Sequence, residues 1–499
     1  MDNYILAIDQ STSGTKALIV DREGCIAAVS TSQHTQYYPA PGWVEHDALE
    51  IYDQVLQCSA DVLAKAGIGP ERIAAVTITN QRETAVVWDK RTGMPISRAI
   101  VWQCQRTAAI CERLNLEGHE SIVMERTGLM LDPYFSATKW HWILKHTEGA
   151  QEKLAAGDLL AGTIDSWLLW KLTGGAAHAT DYTNASRTSL FNIHTLQWDE
   201  DLCRLFGVPA SLLPAVRPSD VIFGYTSGAG SLADGIPIAG LIGDSQAALF
   251  GNLCFEKGMA KATYGTGTSV LMNVGPMPAP ASDGLVQAIA WGQGGGVTYA
   301  LEAVIRTSGD SIKWIRDNLG LFQTFDEMEQ LLAETPANDG VYLVPAFVGL
   351  GAPHWKPHAR AAITGMNRGT GKGHMIRAAL ESIAYQVCDA VELLQTKSGM
   401  DLRELRADGG ASNNSTLMQF QAEMLGKRVR KSGIAELSAL GSAYMGGLAV
   451  GYWASLEDIV RNRRDSRTYE PQMDQNERAR YYDGWKRAVA SVISGTAAI

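Results

Sequence analysis

The sequence predicts an α/β protein made of two large domains that face each other across a cleft. A chain of 499 residues is longer than one hydrophobic core usually serves. Apolar, strand-like segments alternate with segments of helical spacing, as they do in α/β folds. Two similar strand–turn–strand segments, Ile5–Asp21 and Met259–Val274, lie about half a chain apart, which indicates a duplicated architecture. We therefore expect domains over residues 1–248 and 249–499.

The composition is that of an ordinary globular protein with a small-molecule partner. Hydrophobic residues make up 46% and charged residues 19% of the chain, and the net charge is -10. This acidic balance provides no basic surface for nucleic acid. The seven cysteines include no CxxC pair, so they indicate reduced thiols in a cytoplasmic protein rather than disulfides or a zinc site. No apolar run reaches the ~18 residues that a membrane span needs, and we expect no membrane insertion.

The first half is predicted to open with a meander of strands and to continue with alternating helices and strands. Strands are expected within Tyr4–Val20 and over Cys25–Ser30, and helical spacing follows over Ala48–Ala66. The buried strand Ile73–Thr79 then ends at the polar segment Asn80–Glu83. Open α/β sheets place their sites at the carboxyl ends of strands, so this polar segment is a candidate binding site.

The second half repeats this plan after the Gly- and Ser-rich loop Ser227–Gly235. Its hairpin, Met259–Val274, again consists of two apolar strands around a small polar turn. A strand around Leu405, the loop Ala407–Asn414 and a helical run that begins at Ser415 follow. The period is too long for a solenoid, so two α/β domains joined at a hinge are the simplest interpretation.

Both hairpin turns are candidates for phosphate binding. Turns rich in glycine, serine and threonine let backbone N–H groups approach an anion, and their hydroxyl groups donate further hydrogen bonds. Neither turn fits the P-loop or dinucleotide-binding pattern, so one hairpin alone is equally compatible with a tight turn without a ligand. Two facing hairpins favour a polyphosphate. Asp9 could hold Mg2+ through water and Lys16 could offset phosphate charge; the alternatives are an aspartate that caps its turn and a solvated lysine.

Two further loops place glycine near a helix N-terminus, where backbone amides favour anions. One is Ala407–Asn414, and the other is Arg306–Trp314, in which Gly309 precedes a helical run. A plain strand-to-helix turn is the alternative for each loop.

Several charged and aromatic residues are candidates for a second ligand. Asp244 lies among small and apolar residues before the second hairpin, as either a helix N-cap or a base near the phosphates. Arg82 and Glu83 form an opposite-charge dyad at a strand end, suited to hydroxyl groups or to a structural ion pair. Trp102 could stack on a carbon skeleton or belong to the core.

Motifs along nearly the whole chain carry a resemblance to a known family. In chain order they are DQSTSGTKA, TNQRETAVVWD, AIVWQCQRTA, DPYFSATKW, DYTNASRTSLFNIHTLQWD, GDSQAALFG, TYGTGTS, VPAFVGLGAPHW and DGGASNN. They resemble the FGGY family of carbohydrate kinases, and within it the glycerol kinases. The resemblance implies an α/β protein of two actin-like (ribonuclease H-like) domains with a central catalytic cleft. Such proteins bind the polyol or sugar mainly on the N-terminal domain and MgATP mainly on the C-terminal domain, and they phosphorylate a hydroxyl group.

The resemblance also assigns roles by matching motif. Asp9 would serve Mg2+, and Asp244 would be the catalytic base. Residues expected to hold the polyol are Arg82, Glu83, Trp102, Tyr134 and Asp244, with Ser245 and Ser269 in the same pocket. Residues expected to bind ATP are Thr12, Ser13, Gly14, Lys16, Gly265, Thr266, Gly267, Gly309, Lys313, Gly410 and Asn414. We further expect a homodimer or tetramer.

The chain departs from the glycerol kinase pattern in its predicted acceptor pocket. Ser245 stands where glycerol kinases have Gln, and Ser269 stands where they have a Phe against the glycerol carbons. We therefore expect a larger and more polar pocket, whose hydroxyl groups a three-carbon polyol would leave poorly paired. The first hairpin, STSGTK, is closer to the pentulose kinases of the same family.

Three functions are compatible with these observations. A kinase for a small polyol such as glycerol, erythritol, threitol or a pentitol agrees best with the hydroxyl-binding set, and a pentulose (xylulose or ribulose) kinase is the alternative. An actin-like or chaperone-like ATPase switch would need no such set. A sugar sensor without catalysis would need neither Asp9 nor Asp244. Release of ADP with and without polyols separates these functions.

Overall fold

A computed structural model describes residues 3–280, 284–356, 358–461 and 466–495. Strands of the first half are β1 (Tyr4–Gln10), β2 (Gly14–Val20), β3 (Ile26–Gln33), β4 (Glu45–His46), β5 (Ile73–Asn80), β6 (Val86–Asp89), β7 (Met94–Pro95), β8 (Ala99–Ile100), β9 (Leu159–Gly162), β10 (Ala179–Asp181), β11 (Phe191–Asn192), β12 (Gln197–Trp198), β13 (Ala215–Arg217), β14 (Ile222–Tyr225) and β15 (Pro237–Gly243). Its helices are α1 (Ala48–Ala66), α2 (Ala108–Leu116), α3 (Glu120–Thr127), α4 (Ser136–His146), α5 (Ala150–Ala155), α6 (Ile164–Leu172), α7 (Tyr182–Ala185), α8 (Glu200–Phe206) and α9 (Asp244–Gly251).

The second half has fewer small strands and longer helices. Its strands are β16 (Met259–Tyr264), β17 (Thr268–Gly275), β18 (Val286–Gln293), β19 (Gly296–Ile305), β20 (Tyr342–Val344), β21 (Ala362–Thr364), β22 (Glu404–Asp408), β23 (Val429–Ser432) and β24 (Ser466–Tyr469). Its helices are α10 (Gly309–Asp317), α11 (Phe325–Glu334), α12 (Lys372–Ser398), α13 (Ser415–Leu425), α14 (Leu437–Ala449), α15 (Leu456–Arg461) and α16 (Gln475–Gly495). Short 3-10 helices cover Pro70–Arg72, Ala210–Leu212 and Gly410–Asn413.

Two mixed sheets with the same core topology support the predicted duplication. The first has strand order β14-β15-β5-β1-β2-β3, and the second has order β18-β19-β17-β16-β22-β23-β24. In the first, the β1–β2–β3 neighbours are antiparallel, whereas β1, β5 and β15 run parallel. In the second, β16, β17 and β19 are antiparallel neighbours, and β16, β22 and β23 run parallel. Each sheet also carries an antiparallel strand at the parallel edge.

Local chemistry explains why the predicted elements form. Helix α1 has the predicted bounds because Asp47 caps its first amides and Gly67, at φ 66°, ends it in the left-handed conformation. Strands β1 and β2 are almost completely buried, as the continuous apolar runs indicate. Both hairpins and the strand before the loop Ala407–Asn414 are confirmed.

The two halves share an apolar interface through α9 and α14. One buried cluster combines Ala7 and Leu18 of the first sheet with Leu271 of the second and Tyr444 of α14. A hydrogen bond of 3.1 Å between Thr77 and the α14 serine at position 442 also joins the halves. The expected boundary between residues 248 and 249 falls within α9 and stays a prediction. Among the described residues, no helix is both long and apolar enough to cross a membrane.

Candidate active site

Asp244 lies where β15 ends and α9 begins, at the carboxyl edge of the first sheet. One of its oxygens, Oδ1, accepts the N–H of Ser245 at 2.6 Å and lies 3.0 Å from Nε of Arg82. The structure gives the other oxygen, Oδ2, no hydrogen bond from any described residue, and the side chain is 38% exposed. The helix-cap interpretation is wrong because Gly243 occupies the N-cap position. Asp244 thus presents one carboxylate oxygen that is available to a ligand.

Arg82 and Glu83 have separate partners, so the alternative interpretation of an ion pair between them is wrong. Glu83 has a φ of 62°, a strained conformation for a non-glycine residue, and Arg187 donates to its Oε1 at 2.6 Å. The Arg82 guanidinium instead contacts Asp244 and Glu302. Both residues lie beyond the end of β5, in a bend where Glu83 has a left-handed backbone, and each side chain contacts a different partner.

Glu302, on β19, connects the two arginines from the second half of the chain. Its Oε1 lies 3.3 Å from Nη2 of Arg82, and its Oε2 lies 3.0 Å from Nη1 of Arg187. The Glu302 and Arg187 side chains are 1% exposed, and that of Arg82 is 6% exposed. Burial alone would raise the pKa of Glu302, but the two guanidinium groups lower this pKa to about 2. Glu302 therefore stays ionised between the two buried arginines.

Two aromatic side chains border this network. The Trp102 and Tyr134 rings meet edge to face with centroids 5.4 Å apart, and both residues are half-buried. Burial, followed by the Glu83 charge, raises the pKa of Tyr134, so the phenol stays neutral and can donate a hydrogen bond. The Trp102 indole N–H donates to Thr12 Oγ1 at 2.9 Å. The predicted acceptor wall thus contacts the predicted phosphate turn directly.

The two serines that replace larger side chains already have partners. Ser269 donates to Glu302 Oε1 at 3.0 Å, and Ser245 Oγ accepts from Nη2 of Arg82 at 3.2 Å. Both hydroxyl groups therefore have partners within the protein. The expectation that only a longer polyol would pair them is wrong. Both serines are half-buried, and neither side chain is as large as the Gln or Phe of the family pattern.

The second hairpin turn, the start of α10 and the loop before α13 meet in one place. The N–H of Gly309 donates to the carbonyl oxygen of Gly265 at 3.0 Å, and that of Ser308 donates to Thr266 at 2.7 Å. A Cβ at Gly267 would lie 2.4 Å from the carbonyl oxygen of Ile305, so only glycine fits there. The structure therefore brings together three segments that the sequence assigned to ATP.

The remaining predicted nucleotide residues differ in their surroundings. Asn414 is the N-cap of α13, with Oδ1 accepting from Leu417 and its amide donating to Glu329. A Cβ at Gly410 would meet nothing within 4 Å. Lys313 is exposed on α10. The loop at Gly410 is thus open, whereas the end of α13 is already capped by its own side chain.

The first hairpin turn is positioned by contacts with the second half. Lys16 forms an ion pair of 2.7 Å with Glu436, just before α14, so it is not the solvated lysine of the alternative interpretation. Ser13 is exposed at the turn, and a Cβ at Gly14 would lie 2.3 Å from the carbonyl oxygen of Ser32 on β3. Gly14 is therefore required for strand packing.

Asp9 lies at the end of β1 and is 9% exposed. Burial and then the negative charge of Asp244 raise the pKa of Asp9 to about 7, although Lys16 acts in the opposite direction. The described residues contain no cluster of three or more His, Cys, Asp or Glu side chains that could hold a metal. Mg2+ commonly binds through one or two carboxylates together with substrate phosphates, so a lone Asp9 fits that ion.

A duplicated two-domain fold with glycine-rich turns on one side and an arginine-bound aspartate on the other defines a class of protein, the two-domain kinases of actin-like fold. Comparison with models of protein families supports this class. The model of the FGGY family of carbohydrate kinases, N-terminal domain, matches residues 4–251, and that of its C-terminal domain matches residues 260–450. The chain belongs to the FGGY family of carbohydrate kinases.

Relatives narrow the class further. The glycerol kinase of Geobacillus sp. (strain WCH70) is 50% identical over 494 residues, which cover 99% of this chain and 100% of that relative. The glycerol kinase of Caldanaerobacter subterraneus subsp. tengcongensis is 51% identical, with 98% of each chain covered. The crystal structure of Plasmodium falciparum glycerol kinase with ADP superposes with a TM-score of 0.93 at 35% identity, covering 98% of each chain. The chain is a glycerol kinase-like phosphotransferase with an alcohol group as acceptor.

Sequence reasoning did not identify three charged residues of this region. Arg187 lies within the motif DYTNASRTSLFNIHTLQWD, but nothing in the motif indicates its contact with Glu83. Glu302 lies inside an apolar strand and Glu436 precedes an apolar helix. A lone glutamate in an apolar run was the available signal, because a buried charge requires a partner.

Proposed function

We propose that the protein transfers the γ-phosphoryl group of ATP to a terminal hydroxyl of a small polyol, with Asp244 as the general base. The free Oδ2 of Asp244 carries this proposal, since it can accept the hydroxyl proton while Oδ1 stays fixed by Ser245. Arg82, Glu83 and Tyr134 would bind the hydroxyl groups, and the Trp102 ring would pack on the carbon chain. The test is ADP release by the purified protein with and without three- to six-carbon polyols and ketoses.

Acceptor-dependent ADP release also distinguishes this function from an ATPase switch. A switch protein would release ADP at the same rate with and without a polyol. The kinase requires the polyol because closure of the cleft excludes water as an acceptor. If ADP release is faster with xylulose or ribulose than with every polyol, the result would instead support the pentulose kinase alternative.

The nucleotide would occupy the region where Gly265, Thr266, Gly267 and Gly309 meet, with the loop at Gly410 beside it. Thr12, Ser13 and Lys16 would approach the phosphates from the first domain, and Lys16 would leave or share Glu436. Asp9 would hold Mg2+, which supplies charge neutralisation for the phosphates. The hydroxyl groups of Thr12 and Ser13 and the cation of Lys16 are donors, which favours the ionised nucleotide.

Asp9→Ala should raise the Mg2+ concentration required for half-maximal activity by roughly 10- to 100-fold, because outer ligands of a metal contribute at this level. The buried carboxylate whose pKa is raised to about 7 motivates this prediction. Activity is measured against free Mg2+ at fixed ATP. Asp61→Ala, at a half-buried carboxylate of α1 that accepts from Gln57, is the control and should leave the curve unchanged. An unchanged curve for Asp9→Ala would remove this residue from the metal site.

Gly410→Val should weaken nucleotide binding by roughly tenfold, about 1.4 kcal/mol, with little change in thermal stability. The reason is that a Cβ at Gly410 would meet no protein atom within 4 Å, so we expect a side chain there to obstruct the ligand and not the fold. Calorimetric titration of ADP measures the affinity, and thermal melting measures stability. Gly296→Val is the control, since Gly296 has a similarly open, non-left-handed position in the β18–β19 hairpin. Equal ADP affinity in wild type and Gly410→Val would place the nucleotide elsewhere.

Cytoplasmic location and a homodimer or tetramer complete the proposal. None of the seven cysteines, all of which lie in the described part of the chain, forms a disulfide, which supports a reducing compartment. Sedimentation of the purified protein with and without polyol and nucleotide determines the oligomeric state.

A further inference from the structure

Glu302 has contacts that extend beyond charge neutralisation. Both of its oxygens accept from Arg82, Oε1 from Nη2 at 3.3 Å and Oε2 from Nη1 at 3.4 Å. The hydroxyl of Ser269 also donates to Oε1, and Nη1 of Arg187 lies 3.0 Å from Oε2. Glu302 and Ser269 come from the second sheet, whereas Arg82, Arg187 and Asp244 belong to the first half. One carboxylate therefore fixes two guanidinium groups across the boundary between the halves.

This arrangement determines how Arg82 meets Asp244. Both Nη groups of Arg82 donate to Glu302, and they also contact Gln246 and Ser245. The Nε atom lies 3.0 Å from Oδ1 of Asp244. Without Glu302, the Nη donors would keep only Ser245 and Gln246 as partners, and Asp244, already 3.0 Å from Nε, is a carboxylate next to the guanidinium that they could turn to. A guanidinium prefers two parallel contacts with one carboxylate. Such pairing would occupy Oδ2, which is the oxygen that the proposed base requires.

Arg187 strengthens the argument, because it and Arg82 are like charges within one buried site. The positive charge of Arg82 disfavours the charged form of Arg187, and Glu302 is the strongest charge partner of both. A carboxylate has lone pairs enough to serve two guanidinium groups. Removing its charge would leave Arg187 with Glu83 and Arg82 with Asp244 as their remaining carboxylate partners, so the repulsion between the two arginines would act on the position of Arg82.

We propose that Glu302 is a positioning residue for phosphoryl transfer: it anchors Arg82 from the second domain, so that the acceptor site and the free Oδ2 of Asp244 are assembled only when the two domains are docked. This inference rests on the proposed function. It adds a residue that touches neither the nucleotide nor the base and acts through Arg82.

The test compares Glu302→Gln, Glu302→Asp and Ser442→Ala. Glu302→Gln keeps the shape and removes the charge, and we expect kcat/KM for the best acceptor to fall roughly 100-fold, as for misplaced catalytic groups. Glu302→Asp keeps the charge but is too short to contact both arginines, so it should recover part of this loss. Ser442→Ala breaks the cross-domain hydrogen bond with Thr77 and should leave kcat/KM within about threefold of wild type.

Calorimetric titration with ADP supplies the readout that a purely structural role would not change. The stoichiometry counts folded nucleotide sites, and both Glu302 variants should bind ADP with an affinity within about threefold of wild type. The lower kcat/KM of the Glu302 variants should thus come from a lower kcat and a higher KM for the acceptor. If Glu302→Gln does not fold, Glu302→Asp tests the positioning role, and we expect its kcat/KM to fall by roughly tenfold or more.

The outcomes separate this inference from the proposed function. Wild-type protein that shows no acceptor-dependent ADP release removes the proposed function and this inference with it. An active wild type with unchanged kcat/KM in the Glu302 variants overturns the positioning role alone. An equal loss in Ser442→Ala, or a loss confined to ADP binding, also overturns it, because the effect would then be general weakening of the domain contact.

Discussion

Asp244→Asn should lower kcat for the best acceptor by roughly 10²- to 10⁴-fold, the usual contribution of a general base. The amide keeps the size of the side chain and its Oδ1 can still accept from Ser245, so the backbone of α9 should not move. The variant has an amide nitrogen in place of Oδ2, so this position can no longer take a proton. Steady-state ADP release at saturating MgATP and acceptor measures the effect, and ADP affinity should be nearly unchanged.

The matched control is Asp47→Asn, which makes the same chemical change at the N-cap of α1. Asparagine caps helices as well as aspartate does, so turnover should remain at the wild-type level. If Asp244→Asn also turns over normally, then Asp244 has only a structural role with Arg82, and another group must accept the hydroxyl proton.

The sequence was sufficient for the fold because the relevant signals are local. The bounds of α1 follow from a capping aspartate, a run of helical spacing and a terminal glycine within one continuous segment. The two hairpins are readable because their apolar runs and their small polar turns stand next to each other in the chain. The duplication then follows from comparing two such local patterns, and the matching strand orders of both sheets support it.

The charged network of the site could not be predicted in the same way. Arg82 and Glu302 are separated by 220 residues, and no local pattern specifies which buried acid meets which buried base. The alternative of an ion pair between Arg82 and Glu83 is wrong for this reason: each of the two side chains has a partner from a distant part of the sequence. Lys16 likewise pairs with Glu436 rather than with solvent. Such partners depend on how the two domains dock.

The size of the acceptor pocket leads to the second large effect. Ser245 and Ser269 are both half-buried at the network, and each is smaller than the Gln or Phe of the resembling glycerol kinases. Loss of a Phe face removes apolar contact worth on the order of 1.5 to 3 kcal/mol at ~25 cal/mol per Å2. The hydroxyl of Ser269 is already paired with Glu302. A longer acceptor is therefore expected because of the volume that a Phe would fill at this position, and not because of an unpaired hydroxyl group.

We therefore expect a four- or five-carbon polyol, such as erythritol, threitol or a pentitol, to have a higher kcat/KM than glycerol. Ser269→Phe should fill the space and shift the ratio of the two kcat/KM values toward glycerol by roughly 10- to 100-fold, which corresponds to about 1.4 to 2.8 kcal/mol. Ser269→Ala is the matched control: it removes the hydrogen bond to Glu302 but leaves the space, so the preference for the longer polyol should persist. If Ser269→Ala shifts the preference as far as Ser269→Phe does, the hydroxyl and its contact with Glu302 select the acceptor. Wild-type kinetics that rank glycerol above every longer polyol and ketose would contradict the pocket argument, because a neighbouring side chain would then fill the gap that Ser269 leaves.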